Sequence, residues 1–365
     1  MERSVSICVP NLNTRPFLKE RFDSIFNQTF QDWELFVYDS HSDDGAWEFI
    51  QDLAKTCDRM RIAQGPREGP YPAWNECLRR TSGEYVYIAT SDDAMASDFL
   101  EKTVSALDAN RDCELAHSPV LVVDENGCEI SDRVWPDNTM FAEGAPELVK
   151  VPHIRRAPYC GLLQLAGRQT VLSITQLLIR RSLFLRVGSF PNRWGSVSDL
   201  NWEMKAFLVA NTVHVPDTWA TWRSHSKQLT ASQDLCSAAF RKTLDDMIED
   251  ALFSCEAYLP RDVRKSLQSH LLDTANEMRK YYSSLRDRRS VIQRRVFQMR
   301  EMCLGSRSVR KEILRQFMRK PKWINNFPTE VRLWLESLGL QPLGCCALAS
   351  ENNRNENKAG NVAAR

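Results

Sequence analysis

Residues 5–39, VSICVPNLNTRPFLKERFDSIFNQTFQDWELFVYD, decide the fold of this chain. They read as a short apolar strand (5–10), a helix with large apolar residues at helical spacing (17–28) and a second apolar strand (33–39). The alternation continues with a helix at 46–57, a strand at 59–63, a helix at 71–83 and a strand at 84–93. Strands of this apolar content that alternate with helices predict an α/β fold, with parallel βαβ units in a sheet covered on both faces.

Polar residues follow three of these strands at the point where each strand ends. They are Pro10 and Asn11, Asp39, and the pair Asp92-Asp93. Such sheets bind ligands at the carboxyl ends of their strands, so we expect these residues to meet at one cleft. Two carboxylates suit Mg²⁺ or Mn²⁺, whose remaining positions phosphate oxygens and water can fill. Taken alone, the pair is more often a solvated turn, and Asp39 is as often a turn-stabilising residue.

Three more residues in the second half of the chain could serve such a cleft. Asp199 is placed to cap a predicted helix (199–211), and a carboxylate there could also act as a general base. Arg223 and His225 end a predicted strand (214–225) and project to the same face. Arginine could pair with a diphosphate and histidine could bind a metal or phosphate oxygen, although residue type alone favours an ordinary surface position.

Composition narrows the class of protein. The net charge of +1 over 365 residues gives no general attraction to nucleic acid. Eleven cysteines without a CxxC pair indicate reduced thiols, not a disulfide framework or a zinc site. The chain enters a strand within MERSVSICVP, and no apolar run approaches the roughly 18 residues of a membrane span. We therefore expect a cytoplasmic protein without a leader or a transmembrane helix.

The sequence changes character along its length, which predicts three regions. An α/β domain (1–235, in halves 1–116 and 117–235) precedes a helical, basic region (236–342) and a disordered tail (343–365). Residues from about 99 to 116 predict a helix, residues 118–130 predict a hairpin across Asn126-Gly127, and residues 131–170 predict an irregular, substrate-facing loop region.

Residues 286–322 form the most basic stretch, with thirteen Lys and Arg against three acids. The ordinary interpretation is a solvated helix face. The functional interpretation is peripheral contact with anionic lipid at the inner face of a membrane, worth about 1 kcal/mol per basic residue near the surface. Nucleic-acid binding is less favoured, because no aromatic residues interleave the charges.

Four segments in order resemble the inverting family 2 glycosyltransferases of the GT-A fold. They are SICVPNLNTRPFLKERFDSIFNQTFQDWELFVYDSHSDDG (6–45), GPYPAWNECLRRTSGEYVYIATSDD (69–93), LLIRRSLFLRVGSFPN (177–192) followed by Asp199, and TWRSH (221–225). The resemblance spans roughly residues 4–232. It implies a hexosyltransferase that moves a sugar from a nucleotide-sugar, most often a UDP-sugar, to a glycan or lipid-linked hydroxyl acceptor. The setting it implies is polysaccharide, lipopolysaccharide or glycolipid assembly.

The resemblance also implies roles for residues at the strand ends. Pro10, Asn11 and Asp39 would line the nucleotide pocket. Asp92 would bind the nucleotide through an Mn²⁺ or Mg²⁺ ion that bridges the diphosphate. Asp93 would stand beside it as a further metal ligand.

On the acceptor side the resemblance implies that Asp199 deprotonates the acceptor hydroxyl. Arg223 and His225 would contact the diphosphate and the metal, respectively, from the closing loop.

Three positions depart from the family pattern. Ser40 stands where the family has a second acid, Thr90 replaces the first acid of the metal motif, and Ser198 stands where many members have Glu. These departures keep open a second hypothesis, a GT-A-fold binding or scaffold protein with weak or no turnover. A sugar-phosphate nucleotidyltransferase is less favoured, because VPNLNTRP is not a Gly-rich, basic phosphate loop.

Overall fold

The predicted alternation of strands and helices is present in the computed structural model, which describes residues 4–135, 148–165, 170–226, 228, 238–267, 291–305, 309–310, 313 and 322–347. The first half contains β1 (Val5–Asn11), α1 (Arg15–Phe26), β2 (Trp33–Asp39), α2 (Ala46–Ala54), β3 (Met60–Gln64), α3 (Pro70–Arg80), β4 (Tyr85–Ile88), α4 (Phe99–Ala109), β5 (Cys113–His117), β6 (Val120–Val123) and β7 (Glu129–Trp135). The second half contains β8 (His153–Arg155), α5 (Tyr159–Leu165), β9 (Leu177–Arg180), α6 (Leu183–Val187), α7 (Ser198–Val209), β10 (Asn211–His214), β11 (Ala220–Arg223), α8 (Ala238–Cys255), α9 (Arg261–Leu267), α10 (Val291–Leu304), α11 (Lys322–Ser337) and β12 (Leu343–Gly344).

Among the described residues, nine strands form one mixed sheet in the order β12-β8-β10-β5-β9-β4-β1-β2-β3. Strand β1 pairs in parallel with β2 and β4, and β2 pairs in parallel with β3. Strand β9 is antiparallel and lies between β4 and β5. The carboxyl ends of β1, β2 and β4 therefore meet at one edge of the sheet, as the α/β pattern predicts.

Helix α1 covers this part of the sheet with the face that the sequence spacing indicates. It begins at a proline-containing first turn, and it buries Leu18, Phe22 and Ile25. Burying a side chain of this size contributes about 1.5–3 kcal/mol relative to leaving it exposed. The same packing fixes the helix, and with it the loop that leads from the end of β1.

A smaller sheet in the order β11-β6-β7 brings the second half of the chain to the end of β4. The hairpin predicted at Asn126-Gly127 is confirmed by the antiparallel pairing of β6 with β7. The amide of Ala94 donates to the Thr221 hydroxyl at 2.6 Å, and the amide of Thr221 donates to the Ala94 carbonyl at 2.8 Å. Because these two hydrogen bonds hold β11 beside Ala94, the residues at the end of β11 lie against the turn that follows β4.

Three details of the predicted secondary structure are wrong. The strand predicted over 214–225 is two strands in different sheets, since a turn at Pro216-Asp217 separates β10 from β11. The predicted helix after residue 99 ends at Ala109, and the central strand β5 follows it. Within the region expected to be irregular (131–170), β7 continues to Trp135, and β8 and α5 follow.

The helical region shares its core with the α/β domain. Helix α8 packs against α7, and buried residues of α8 and α11 (Met247, Ile248, Val331 and Trp334) belong to the same apolar cluster as Trp202 of α7. The tail expected from residue 343 is structured at its start, because Leu343 and Gly344 pair antiparallel with β8. Residues 348–365 lie outside the described residues.

About half of the stretch 286–322, for which membrane contact is predicted, lies outside the described residues, which include helix α10 and a few isolated positions of that stretch. In the part of the chain that the structure describes, no helix is long and apolar enough to span a bilayer.

Candidate active site

Asn11 and Asp39 end the paired strands β1 and β2 and lie side by side, as predicted. Asp39 is fully buried. Its Oδ1 accepts from Asn11 Nδ2 at 2.6 Å and from the Ser42 hydroxyl at 2.6 Å, while its Oδ2 accepts from the Ser42 amide at 2.9 Å and Gln64 Nε2 at 3.0 Å. Four protein donors thus surround this carboxylate, so its direct role here is to shape the loop after β2.

Pro10 is buried and lies opposite Tyr38 in the β1–β2 pairing. The loops beyond the two strands are joined by Asn13, whose amide donates to the Ser42 hydroxyl at 2.9 Å and whose Oδ1 accepts from the Asp43 amide at 2.9 Å. Asn13 and His41 both have left-handed backbone conformations, with φ of 55° and 53°. Non-glycine residues in this region are uncommon and occur often at functional sites.

The two carboxylates of the Asp92-Asp93 pair point in different directions. The side chain of Asp92 is 24% exposed, and its Oδ2 lies 3.1 Å from Nε2 of His225. Asp93 is buried, with Oδ2 accepting from the Thr90 hydroxyl at 2.5 Å and Oδ1 accepting from the Arg223 amide at 2.7 Å. Asp92 and His225 therefore form a carboxylate–imidazole pair in which Asp92 is partly exposed and the His225 side chain is only 7% exposed, and Asp93 supports the turn beneath it.

The environment of Asp93 favours its neutral form. Burial, followed by repulsion from the Asp92 charge, raises the pKa of Asp93 to about 7, while Arg21 and the Thr90 and Arg223 hydrogen bonds act in the opposite direction. Arg21 is fully buried, and its Nε donates to the Thr90 carbonyl at 2.8 Å. Thr90, the departure from the family's metal motif, is thus part of the support for Asp93.

Arg223 is held entirely within the protein, with its side chain 1% exposed. Its Nε donates to the Asp92 carbonyl at 2.6 Å, Nη1 donates to the carbonyls of Asp124 at 3.2 Å and Glu125 at 3.3 Å, and Nη2 pairs with Glu20 Oε2 at 2.6 Å. Each guanidinium nitrogen already has a protein acceptor. This arrangement does not support the predicted contact with a diphosphate.

The donor set at the end of β4 fits a hard divalent cation only in part. Across the described ranges, no three His, Cys, Asp or Glu side chains converge as a metal-binding group. Asp92 and His225 supply one carboxylate oxygen and one imidazole nitrogen within 3.1 Å of each other. Magnesium sites often take one or two carboxylates and complete their shell with phosphate oxygens and water, so this pair suits a cation that arrives with a nucleotide.

Asp199 lies in the first turn of α7, where its Oδ1 accepts from the Tyr71 hydroxyl at 2.9 Å and from the Leu200 amide at 2.9 Å. Burial raises the pKa of Asp199, and the Tyr71 hydrogen bond opposes this rise. Glu203, one helical turn further on, is buried, and burial together with the Asp199 charge raises its pKa well above the ordinary value. A carboxylate with a raised pKa at a helix start is suited to accept a proton.

Ser198, the departure next to Asp199, has a structural role. Its hydroxyl accepts from the Trp194 amide at 3.1 Å and donates to the Gly195 carbonyl at 3.0 Å, closing the turn before α7. Sequence reasoning missed Tyr71, Glu203 and Arg21. The spacing of four residues between Asp199 and Glu203 is a signal that could have identified the second acid.

The glycosyl transferase family 2 model matches residues 6–157. The chain is 27% identical over 142 residues to the putative teichuronic acid biosynthesis glycosyltransferase TuaG of Bacillus subtilis, covering 39% of this chain and 56% of TuaG. It is 35% identical over 98 residues to the GalNAc(5)-diNAcBac-PP-undecaprenol beta-1,3-glucosyltransferase of Campylobacter jejuni, covering 26% of this chain and 32% of that enzyme. The chain thus spans between about a third and about half of the length of these relatives.

Two solved structures share the fold. Staphylococcus aureus TarS 1–349 in complex with UDP-GlcNAc has a TM-score of 0.59 and 16% identity, covering 92% of each chain. The mannosyltransferase PcManGT of Pyrobaculum calidifontis, in complex with GDP-Man and Mn²⁺, has a TM-score of 0.52 and 17% identity, covering 91% of this chain and 85% of that one. Residues 6–157, less than half of the chain, thus match the glycosyl transferase family 2 model, and the chain has the GT-A fold of these solved structures.

Proposed function

We propose that the chain is an inverting, metal-dependent glycosyltransferase. It transfers a sugar from a nucleotide-sugar, in the first place a UDP-sugar, to a hydroxyl acceptor of a cell-surface polysaccharide, lipopolysaccharide or glycolipid. The observation that carries the proposal is the presence of two acid sites with different properties. The Asp92–His225 pair is partly exposed through Asp92 and suits a cation, while Asp199 has a raised pKa and suits proton abstraction.

The residues of the acceptor site perform the proton transfer. Asp199 takes the proton of the acceptor hydroxyl, which becomes the nucleophile at the anomeric carbon. The Tyr71 hydroxyl and the Leu200 amide donate to Oδ1 of Asp199 and hold the carboxylate in a fixed orientation. General-base assistance of this kind contributes about 10²–10⁴-fold to a rate.

The donor site acts on the leaving group. Asp92 and His225 would hold Mn²⁺ or Mg²⁺ against the diphosphate, where the cation supplies charge neutralisation for the departing nucleotide. The UDP-GlcNAc bound to TarS and the GDP-Man and Mn²⁺ bound to PcManGT support these classes of donor and cofactor. Asn11, Asp39 and the loops that they brace form the wall of the nucleotide pocket in this proposal.

The acceptor is proposed to be a glycan or a lipid-linked glycan at the inner face of the membrane. Relatives named for teichuronic acid biosynthesis and for a PP-undecaprenol acceptor support this class. In α10, Arg294 and Arg300 are exposed beside Met299, which is 67% exposed, and Leu304, which is 74% exposed. Basic and apolar side chains on one helix suit an interfacial position. Vesicles with anionic lipid should sediment the protein at low salt, and absence of binding there would remove the membrane part of the proposal.

The decisive experiment is a panel of nucleotide-sugars with Mn²⁺, comparing the wild-type protein with Asp92→Ala and Asp199→Asn. Donor hydrolysis or transfer by the wild type, lost in Asp92→Ala, is the expected result. Nucleotide binding without turnover for every donor would favour the binding-protein alternative. Full activity in Asp92→Ala would contradict the assignment of Asp92 as a metal ligand. NMR of the product tests inversion, since retention of the donor's anomeric configuration would contradict it.

A further inference from the structure

The turn that carries Asp92 and Asp93 is held by the buried residue Arg223, which forms hydrogen bonds with both. The Arg223 amide donates to the Asp93 carboxylate at 2.7 Å, and Nε donates to the Asp92 carbonyl at 2.6 Å. One residue thus fixes the main chain of Asp92 and the side chain of Asp93. These two bonds hold the main chain from which the Asp92 carboxylate projects.

The rest of the guanidinium ties this turn to two distant segments. Nη2 pairs with Glu20 of α1 at 2.6 Å, and Nη1 reaches the carbonyls of Asp124 and Glu125 in the turn between β6 and β7, at 3.2 and 3.3 Å. Helix α1, the turn after β4 and the β6–β7 turn therefore meet at one buried cation. A planar guanidinium can donate in several fixed directions, whereas a lysine ammonium is a single point charge on a flexible stem.

His225 is positioned by the same segment. The side chain of Gln228 donates to the Arg223 carbonyl and accepts from the His225 amide at 3.3 Å. The ring of Phe17 lies 4.9 Å from the His225 ring and 5.1 Å from Cζ of Arg223. Both members of the carboxylate–imidazole pair, Asp92 and His225, thus depend on the placement of Arg223.

The β6–β7 turn contains a glycine that lies beside this guanidinium. Gly127 has φ of +82°, and a Cβ there would lie 3.4 Å from Nη1 of Arg223 and 3.5 Å from Oε2 of Glu20. Any other residue at this position would be strained in its backbone, although its Cβ would make only ordinary van der Waals contact with the Arg223–Glu20 pair. Gly127 therefore supports the backbone conformation of the turn that contacts Arg223.

We propose that Arg223 is a positioning residue that holds Asp92 and His225 in the geometry that binds the cation and diphosphate, by joining their turn to α1 and to the β6–β7 hairpin. This inference rests on the proposed function for the identity of the ligand. It assigns Arg223 a role through its neighbours and no contact with the donor. Outer-shell partners of this kind typically change metal affinity about 10- to 100-fold when they are replaced.

The test compares Arg223→Lys with Arg181→Lys in the full-length protein. Arg181 is a matched control because it also donates to carbonyls and hydroxyls within the α/β domain, including the Gly83 carbonyl at 2.6 Å, but at the opposite end of β4. The affinity for Mn²⁺ in the presence of UDP is measured from the electron paramagnetic resonance signal of free Mn²⁺. We expect about 10- to 100-fold weaker binding in Arg223→Lys and unchanged binding in Arg181→Lys, with both variants less stable than wild type. Equal binding in the two variants would overturn the inference.

A second measurement tests the positioning role of Arg223 in the absence of nucleotide. Hydrogen–deuterium exchange should be faster in Arg223→Lys at residues 90–94 and 124–128 together, and in Gly127→Ala in the same direction. Unchanged exchange at both turns would refute the positioning role even if Mn²⁺ binding fell. A wild-type protein that binds no Mn²⁺ with UDP would count against the proposed function, and the exchange result would still decide the role of Arg223.

Discussion

The hydrogen bond between Tyr71 and Asp199 gives a sharp test of the proposed base. Tyr71 is buried, and its hydroxyl lies 2.9 Å from Oδ1 of Asp199. Replacing Tyr71 with Phe removes this donor and leaves the Leu200 amide on the same oxygen. Because the tyrosine bond holds the pKa of Asp199 down against burial, its loss raises that pKa further.

The expected magnitude follows from the strength of such a bond. A hydrogen bond to a charged group contributes about 1.5–3 kcal/mol, and Asp199 is partly exposed, so the lower half of this range applies. At a fixed pH on the acid side of the profile, the ionised fraction of Asp199 then falls by about tenfold to fortyfold, since about 1.4 kcal/mol corresponds to a factor of ten. The base must be ionised to act, so kcat/KM rises with pH, and the rise moves to higher pH in Tyr71→Phe.

The assay is the pH dependence of kcat/KM between about pH 5 and pH 9 for the wild type, Tyr71→Phe and a control, Tyr85→Phe. Tyr85 also donates its hydroxyl to a carboxylate, that of Asp108, but Asp108 belongs to α4 and is not part of the candidate site. The control should keep the wild-type profile. An unmoved acid limb in Tyr71→Phe would refute the assignment of Asp199 as the base. A uniform loss of rate at every pH, accompanied by a lower melting temperature, would also contradict it, because only structure would then have changed.

Three further predictions concern titrating groups. Asp199→Asn should lower kcat by about 10²–10⁴-fold while nucleotide affinity, measured by calorimetry, stays near wild type; a variant with near-normal kcat would contradict the general base. Burial raises the pKa of Glu203 in the folded protein. At a pH between the unfolded and folded pKa values, the native state therefore holds a proton that the unfolded state releases. The free energy of unfolding falls as the pH rises through this range. Glu203→Gln should remove this loss of stability, which is at most about 1.4 kcal/mol per pH unit. The measurement is the free energy of urea unfolding at pH 6 and pH 8. The same pH dependence in the variant and the wild type would refute the prediction. Burial holds the pKa values of His117, His153 and His214 well below the ordinary value, so they stay neutral when folded, and the unfolded state takes up protons below about pH 6.5. The melting temperature should therefore fall steeply from pH 7 to pH 5, and a flat profile would count against this cluster.

The α/β half of the fold could be predicted because its information is local. The apolar spacing in residues 17–28 and the short apolar runs on either side predict α1 between β1 and β2, and the structure has both strands where expected. The ends of parallel strands must share an edge, so Asn11 and Asp39 could be placed together from sequence. The family resemblance implied that Asp92 and His225 both serve the metal, and their side chains lie in contact.

The hydrogen-bond partners of individual polar side chains could not be predicted, because they depend on contacts between residues that are distant in sequence. Arg223 meets Glu20 across 203 positions of sequence, and no spacing rule indicates that pair. Asp39 is predicted to line the nucleotide pocket, but Gln64, from the neighbouring strand, donates to its carboxylate. Strand β5 was taken for the end of a helix, since its five residues include charged and polar side chains that periodicity cannot distinguish from a helix.

The short strand β12 has a consequence for how the protein behaves in solution. It covers β8 at one margin of the large sheet, with the Arg156 amide donating to the Pro342 carbonyl at 2.8 Å and with Asn110 and Ala347 exchanging two hydrogen bonds nearby. A protein shortened before residue 341 would present the bare backbone of β8 to other molecules. Unpaired strand margins of this kind recruit strands from neighbouring chains. The few residues after α11 thus protect the protein from self-association. Shortening the chain there would make it prone to aggregate.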